Sequence, residues 1–378
     1  MVCSSNGAKL LRVGIIGTGD FVEACHIPEL KAHPRVEIVA LCGRDLQRTR
    51  LLATRHGIAE AMTDYHQLCA RPDVDAITIA SRNIDHVSHA IAALHGRKHV
   101  FCEKPLATTV ADAKRMASLA GEIPGIHQVA FTYRYLYGVR RLRQLVRQGE
   151  IGVPHYIRLQ YDTWQGLEQG FQIGFRDKME LAGGGVLFDV GSHLIDLAAH
   201  LIGPIDQIAG LTVSVPRHAL DSRSGETLQV ETDDMATALL TFKNGVRGQI
   251  SISRVSPSVG SKSWVEVIGE RGALRALLSR GSVDVLQRSQ PSRPTWEEVS
   301  LPDAASDGKP HCLGLMMRSF VEACCRGELD LEVDASFQDG LLAQEAMAAV
   351  ELSGRRQEWV GLGRSEGVEI VGQKALKM

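Results

Sequence analysis

A lysine at the end of a short apolar run is the first candidate for chemistry. The run His99 to Cys102 is followed by Glu103, Lys104 and Pro105. Proline cannot donate to a strand ladder and disfavours helix at the preceding residue, so we expect the strand to end before Lys104. In doubly wound α/β sheets ligands bind at the carboxyl ends of the strands, which would place this lysine beside a bound molecule. The alternative is an ordinary solvated lysine.

An acid and an imidazole form the second candidate. The apolar helical pattern Val186 to Ile202 follows three consecutive glycines (183–185) and carries Asp189 and His193. Residues four apart share a helix face, so these two side chains should stack, with Asp196 near both. A histidine beside a carboxylate suits proton transfer near neutral pH. Two hydrogen-bonded buried polar residues are the alternative; a metal site lacks a third ligand, so no metal is predicted.

The chain opens with a pattern typical of nucleotide loops. The apolar run Leu11 to Gly17 passes into Gly17-Thr18-Gly19 and a helical pattern from Asp20 to His33. Glycines allow close backbone approach, and the free amides of a helix amino terminus attract a pyrophosphate. Val22 occupies the place of the usual third glycine, and a structural turn is the alternative. The loop residues predicted to bind cofactor are Gly17, Thr18, Gly19, Asp20 and Phe21.

The end of the second strand should select the cofactor. The run Val36 to Cys42 ends in Gly43-Arg44-Asp45. An acidic residue here would hold the ribose 2′-hydroxyl of NAD, whereas a small residue with a guanidinium suits the 2′-phosphate of NADP. Asp45 is either that ribose ligand or the cap of the helix Leu46 to His56, and the cap is favoured. Gly43 and Arg44 therefore favour NADP over NAD.

Alternating strands and helices predict a doubly wound parallel sheet for the first part of the chain. The remaining predicted elements are, in order, the strands Asp75–Ser81, His99–Cys102 and His127–Tyr133 and the helices Asp85–His95 and Ala111–Leu119. One of these strands ends in Ser81-Arg82-Asn83, with His86 one turn into the next helix. Ser81, Asn83 and His86 are accordingly predicted cofactor neighbours.

Hairpin signals dominate the later sequence and predict an α+β domain with a large open, mostly antiparallel sheet. Asn244-Gly245 separates the strand patterns Met235–Phe242 and Arg247–Arg254, and this dipeptide strongly indicates a hairpin. The other elements predicted here are the helices Val139–Gln148, Leu313–Arg326 and Ser336–Leu352 and the strands Pro154–Trp164, Ser263–Ile268 and Ala273–Ser279. An open sheet face needs a cover, so we expect a homodimer or homotetramer through this sheet.

Composition limits the class of protein. The 378 residues suffice for about two domains, and we expect a dinucleotide-binding domain at 1–134 and a substrate-binding and oligomerisation domain at 135–378. The 42 basic and 44 acidic residues nearly cancel, which disfavours nucleic acid and anionic membranes as partners. The eight cysteines lack any Cys-x-x-Cys pair, and no secretory or membrane segment is evident; both favour a soluble cytoplasmic protein. The terminal stretch 363–378 is polar, and we expect it to be loosely held.

Taken together, these motifs resemble the Gfo/Idh/MocA family of NAD(P)-dependent oxidoreductases from about Leu11 to Leu362. The resemblance implies a Rossmann domain followed by an α/β domain whose open sheet commonly forms the dimer contact. It assigns the family's catalytic lysine, aspartate and histidine to Lys104, Asp189 and His193, and Glu103 to the cofactor side. The segment 131–134 resembles the family's interdomain connection, which makes Tyr133 and Arg134 candidate substrate contacts. Arg82 stands where the family usually has proline.

The expected reaction is hydride transfer between a nicotinamide cofactor and a hydroxyl or carbonyl of a sugar, polyol or cyclitol. His193 would be the base, Asp189 would orient it or hold a hydroxyl, and Lys104 would stabilise the alkoxide. Trp164 and Arg176, with Tyr161, are predicted to line the pocket because they precede the three glycines and offer stacking and hydrogen bonds. The alternatives are a non-catalytic cofactor-binding sensor and a sugar-modifying enzyme that uses the cofactor transiently.

Overall fold

The protein divides into two compact units. The computed structural model describes residues 10–221, 223–257, 263–278, 285–301 and 312–363. The first unit contains 1–107, 111–132 and 313–341, and the second contains 108–110, 133–312 and 342–378. The predicted division placed all of 135–378 in the second domain, whereas 313–341 packs with the first unit. Its Phe320 ring lies 5.4 Å from that of Phe101, and Val129 donates a backbone hydrogen bond to the Ala335 carbonyl.

A parallel sheet forms the centre of the first unit. Its strands are β1 Leu11–Ile16, β2 Val36–Cys42, β3 Glu60–Met62, β4 Ala76–Ile79, β5 His99–Cys102 and β6 His127–Val129. They are ordered β3-β2-β1-β4-β5-β6 and all neighbours are parallel. The order reverses between β1 and β4, which is where a doubly wound sheet opens a crevice at its carboxyl edge. The predicted Rossmann fold is confirmed.

Helices connect these strands, and two of them begin at aspartate caps, Asp45 and Asp64. A π turn at Val22–His26 leads into α1 Ile27–Lys31, and the later helices are α2 Leu46–Arg55, α3 Tyr65–Ala70, α4 His86–His95 and α5 Val110–Glu122. Strand β3 and helix α3 were not predicted from the sequence. The strand β3 spans three residues and none of them is buried, so it leaves no periodic apolar pattern.

A large mixed sheet dominates the second unit. The second-unit strands are β7 Pro154–Asp162, β8 Gln172–Ile173, β9 Ile205–Val213, β10 His218–Asp221, β11 Thr227–Gln229, β12 Met235–Phe242, β13 Arg247–Ser253, β14 Trp264–Gly269, β15 Gly272–Leu277, β16 Leu286–Gln290, β17 Arg293–Val299 and β18 Val360–Gly361. In the described part of the chain the large sheet is ordered β17-β16-β15-β14-β7-β13-β12-β9-β18, while β8, β10 and β11 form a small one. Within the large sheet β7 runs parallel to β13, and the other neighbours are antiparallel. The predicted, mostly antiparallel sheet is confirmed.

Helices cover one face of the large sheet. The helices of the second unit are α6 Tyr137–Arg147, α7 Met179–Ala182, α8 Ser192–Ile202 after a π turn at Leu187–Gly191, and most of α10 Phe337–Arg356. Helix α9 Cys312–Arg326 belongs almost entirely to the first unit. On β12 the residues alternate: Ala238 and Leu240 are buried, whereas Leu239 is 47% exposed. A Cβ added at Gly210 on β9 would lie 3.1 Å from Val350 on α10, which identifies the covered face. The other face of β12 is open in the single chain.

Among the described residues, one helical segment has the length and composition of a membrane span. It is Met179–Ile202, and 78% of its most apolar window is buried inside the protein. A core helix of a soluble protein has the same properties, because both environments select apolar side chains. Its burial places this segment among the core helices of the second unit.

Candidate active site

The two loop glycines have different physical roles. Gly17 has φ +132°, and a Cβ there would lie 2.4 Å from the Ala80 carbonyl oxygen, so the turn requires glycine. Gly17 also donates to the Cys42 carbonyl at 2.8 Å. A Cβ at Gly19 would meet no atom within 4 Å. Gly19 therefore leaves open space beside the first helix, which suits close approach of a dinucleotide pyrophosphate.

The helix after the loop accounts for the missing third glycine. Val22 is fully buried, and its Cγ2 lies 3.3 Å from the Cβ position of Gly17. The valine therefore packs under the loop while the ligand side stays open. Asp20 and Phe21 both remain exposed at the start of this helix.

The end of β2 carries a helix cap and two arginines. The Asp45 Oδ1 accepts from the amides of Gln47 at 2.9 Å and Arg48 at 3.1 Å, which confirms the cap interpretation. Arg44 is exposed. A second arginine, Arg48, was not predicted here; its guanidinium donates to the Thr18 carbonyl and to Asp20, each at 2.9 Å. The available signal was its place in the first turn of α2, three residues after the Asp45 cap.

The residues after β4 lie in a polar turn. Ser81 Oγ is 3.0 Å from the His89 Nδ1, and Arg82 forms an ion pair with Asp85 at 2.7 Å. This ion pair joins positions three residues apart in the turn. Asn83 is 8% exposed and His86 is fully buried. Their cofactor contacts stay predictions.

The Glu-Lys-Pro segment lies directly after β5, as predicted. Glu103 donates its amide to the Ile79 carbonyl at 2.9 Å, and its carboxylate oxygen is 3.0 Å from the Nε2 of His26. Lys104 is half-buried and precedes a cis peptide bond to Pro105. The lysine thus follows the carboxyl end of a central strand, the edge at which doubly wound sheets bind ligands.

An aspartate that the sequence analysis missed explains the three glycines. The carboxylate of Asp233 accepts from the amides of Gly185 at 2.6 Å and Leu187 at 2.9 Å. A Cβ at Gly185 would lie 2.1 Å from the Asp233 carbonyl oxygen, so the close approach requires glycine. Burial raises the pKa of Asp233, and the two amide bonds oppose that rise. Asp233 gives no local signal because it lies almost fifty residues further along the chain.

Asp189 and His193 occupy different environments on their helix. The Asp189 side chain is 41% exposed, and its Oδ1 lies 3.5 Å from the Nε of Arg176. His193 is 1% exposed and stacks on the Tyr133 ring at 4.6 Å. The helix opens with a π turn that includes Asp189, so the simple four-residue spacing of a regular helix does not apply here. The structure thus brings Arg176 to the aspartate and Tyr133 to the histidine.

Two other predicted neighbours bind each other. Arg134 and Asp196 form a bidentate ion pair at 2.5 and 2.9 Å, and both side chains are about 95% buried. A buried arginine of this kind anchors the segment that carries Tyr133. Its predicted substrate contact stays a prediction, and Asp196, expected beside Asp189 and His193, is the partner of this arginine.

Arg176 belongs to a short turn that is anchored in the protein. The turn Phe175–Asp177 places the Arg176 guanidinium 4.7 Å from the Phe175 ring centre. Asp177 is buried and binds Arg254 at 2.6 Å and the Gly174 amide at 3.0 Å. Trp164 is 45% exposed. Among the described residues, no group of three His, Cys, Asp or Glu side chains is placed to hold a metal ion.

Family models match both parts of the chain. Residues 11–131 match the model described as the oxidoreductase family, NAD-binding Rossmann fold. Residues 139–275 match the GFO/IDH/MocA C-terminal domain.

Curated relatives and solved structures agree with these matches. An uncharacterized oxidoreductase of Synechocystis is 30% identical over 265 residues, 70% of this chain and 71% of that protein. Myo-inositol 2-dehydrogenase of Thermotoga maritima is 29% identical over 289 residues, 75% and 80% of the two chains. Levoglucosan dehydrogenase of Pseudarthrobacter phenanthrenivorans is 27% identical over 286 residues, 70% and 73%.

Among solved structures, an oxidoreductase domain protein from Kribbella flavida has a TM-score of 0.85 at 28% identity, covering 94% of this chain and all of that one. A levoglucosan dehydrogenase in complex with NADH and L-sorbose has a TM-score of 0.86 at 24% identity, with the same coverage, which shows a shared fold. The chain belongs to the Gfo/Idh/MocA family. It is an NAD(P)-dependent oxidoreductase with an NAD-binding Rossmann domain.

Proposed function

We propose that this protein transfers a hydride between a nicotinamide cofactor and a CH–OH carbon of a sugar, polyol or cyclitol. The observation that carries the proposal is a group of four residues on and against one helical segment: the half-exposed Asp189 and Arg176, 3.5 Å apart, and, four residues after Asp189, the buried His193 stacked on Tyr133. Such a group presents hydrogen-bond donors and acceptors to several hydroxyls together with a base. Relatives named levoglucosan dehydrogenase and myo-inositol 2-dehydrogenase support a polyhydroxylated substrate.

Each proposed catalytic residue has one task. His193 takes the proton from the reacting hydroxyl, and stacking on Tyr133 keeps the imidazole plane fixed. Lys104 stabilises the negative charge that develops on the same oxygen. Asp189 accepts a hydrogen bond from a neighbouring hydroxyl, or orients His193. A bound nicotinamide cofactor supplies the hydride acceptor in oxidation and the donor in reduction.

Substrate recognition is assigned to the half-exposed residues of the second unit. Arg176 donates hydrogen bonds to substrate hydroxyls from its anchored turn, and Trp164 and Tyr161 offer aromatic faces to the sugar ring. Because the Arg176 guanidinium lies 3.5 Å from Asp189, one hydroxyl could accept from the arginine and donate to the aspartate.

The cofactor preference is proposed to be NADP. The Asp45 carboxylate caps α2, which leaves the exposed guanidiniums of Arg44 and Arg48 at the end of β2. Two positive charges suit a 2′-phosphate better than a 2′-hydroxyl.

The function is tested with a panel of sugars, polyols and their keto forms, assayed with NADP and NAD by nicotinamide absorbance. Lys104→Met and His193→Ala should each lower kcat roughly a hundredfold or more, as expected for acid-base groups. The exposed Lys114 and His218 provide the matched controls Lys114→Met and His218→Ala, which should retain activity.

Three results would contradict the proposal. Full turnover in Lys104→Met or His193→Ala would remove the assigned roles. Product formed without net cofactor change would indicate the transient use of cofactor, and cofactor binding without turnover on the whole panel would indicate a sensor.

We also propose that the open face of the large sheet contacts a second copy of the chain, in a reducing cytoplasm. The exposed apolar side chains of β9 and β12, Leu211, Val213, Met235 and Leu239, support the contact. The absence of a disulfide among the seven described cysteines supports the compartment. Leu239→Asp should produce monomers in light scattering, whereas Leu331→Asp, at a 72% exposed position of the first unit, should not. An unchanged mass in Leu239→Asp would contradict this interface.

A further inference from the structure

Two buried histidines hold the residues on either side of Lys104. His26 and His86 are both fully buried. The Nε2 of His26 is 3.0 Å from the carboxylate of Glu103, and the Nδ1 of His86 is 2.9 Å from the carbonyl oxygen of Pro105. Lys104 therefore lies between two residues that are each fixed by an imidazole from a different helix.

The surroundings of His26 select one tautomer. Its ring lies edge-on to Phe21 and Phe101, with centroid distances of 5.5 and 5.8 Å. Its Nδ1 is buried and has no hydrogen-bond partner among the described residues. A proton on Nδ1 would be a buried donor without an acceptor, which is costly. The proton therefore belongs on Nε2, which donates it to Glu103.

The surroundings of His86 select the opposite tautomer. Burial lowers the pKa of His86, so the ring is neutral and carries one proton. The nearer acceptor is the Pro105 carbonyl at Nδ1, whereas the Ser81 carbonyl is 3.4 Å from Nε2. The Nδ1 proton is therefore donated to Pro105, because the shorter contact is the stronger hydrogen bond.

We propose that His26 and His86 are positioning residues that orient the ammonium of Lys104. His26 belongs to the helix that follows the glycine loop, and His86 begins α4 after the Ser81 turn. The elements that form the cofactor cradle would thus also fix the lysine. The inference rests on the proposed catalytic role of Lys104, and the competing explanation is that both histidines only fill the core.

Amide substitutions separate these explanations, because glutamine places its NH₂ near the Nε2 position of histidine and asparagine near Nδ1. His26→Gln and His86→Asn preserve the donors that the structure shows, whereas His26→Asn and His86→Gln displace them. The displaced variants should lose kcat by roughly ten- to a hundredfold, as expected when a catalytic group is shifted by about 1 Å. The preserving variants should stay within a few-fold of the original enzyme. The control variants His155→Gln and His155→Asn, at an exposed position, should leave kcat unchanged.

A second measurement does not depend on turnover. Acylation of Lys104 as a function of pH, followed by mass spectrometry of its peptide, reports the exposure and titration of the ammonium. The profile should change in His26→Asn and His86→Gln and stay unchanged in the preserving variants, with the melting temperature measured in parallel. If His26→Asn or His86→Gln fails to fold, the Gln and Asn variants of the other histidine test the proposal.

The outcomes separate the two proposals. If Lys104→Met retains turnover, the catalytic role of the lysine is wrong, while the acylation profile still tests the positioning. At each histidine the Gln and Asn variants are compared with each other. If they give the same kcat and the same acylation profile, or differ only in melting temperature, His26 and His86 are core residues and the positioning proposal is wrong.

Discussion

The carboxylate of Asp45 is engaged in a helix cap, and this decides what the end of β2 offers a nucleotide. Its Oδ1 binds two amides of α2, so the strand end presents guanidiniums. Arg48 already touches the glycine loop through the Thr18 carbonyl. The proposed phosphate contact would give this side chain a second role, and substitution can separate the two roles.

Arg44→Ala and Arg48→Ala should each weaken NADP binding by about tenfold or more, because a hydrogen bond to a charged group contributes about 1.5–3 kcal/mol. NAD binding should change little. The dissociation constants follow from nicotinamide fluorescence, with Arg50→Ala, exposed on the same helix, as the control. An equal loss for both cofactors would show that Arg48 only supports the loop, and unchanged NADP binding would overturn the proposed preference.

Two functional helices of this protein begin with a π turn. One follows the glycine loop and contains His26, and the other follows the three glycines and contains Asp189. A π turn changes which side chains face the same direction, and such turns are frequent at functional sites. Each is preceded by a glycine whose added Cβ would collide with backbone, Gly17 with Ala80 and Gly185 with Asp233. The glycines and the wide turns together set the directions of the functional side chains.

The two loop glycines provide a matched pair of substitutions. Gly17→Ala should destabilise the first unit by on the order of 1–3 kcal/mol, because φ is +132° and the new Cβ would approach the Ala80 carbonyl. Gly19→Ala meets only open space, so it should fold normally and weaken cofactor binding. Melting temperature and cofactor titration distinguish the two effects. Unchanged cofactor affinity in Gly19→Ala would argue against a pyrophosphate at this loop.

At the scale of the whole molecule, buried neutral histidines should make the protein acid-sensitive. Burial lowers the pKa of His89 and of His127 to about 4, compared with about 6.5 in the unfolded chain. The unfolded state therefore binds more protons between about pH 6.5 and 4, and the free energy of unfolding falls as pH decreases through this window. Above about pH 6.5 this contribution to stability is fully present.

His127→Asn tests this linkage. Asparagine retains a donor near the Nδ1 position, which is 3.1 Å from the Ala120 carbonyl, and removes the titrating group. The decrease in melting temperature between pH 7.5 and 5 should be smaller than in the original protein, and His155→Asn at an exposed position should not change it. An identical decrease in His127→Asn would show that acid acts through other groups.

Local patterns in the sequence determined most of the elements and the chemistry that they carry. Strand β2, strand β5 and strand β12 begin and end as predicted, because continuous or alternating apolar residues and their flanking breakers specify strands without distant partners. The glycine loop, the Asp45 cap and the end of β5 before Lys104 also follow from neighbouring residues. The family resemblance rests on motifs of this local kind.

Only the tertiary structure decided which distant residues meet. Asp233 against Gly185, Arg48 against Thr18 and His26 against Glu103 join positions 30 to 77 residues apart. The insertion of β7 beside β13 and the packing of 313–341 with the first unit are likewise long-range. Such pairings depend on shape and on the satisfaction of buried polar groups across the fold, which no short window of sequence encodes. The sequence therefore identified the residues that could act, and the tertiary structure identified the residues that hold them.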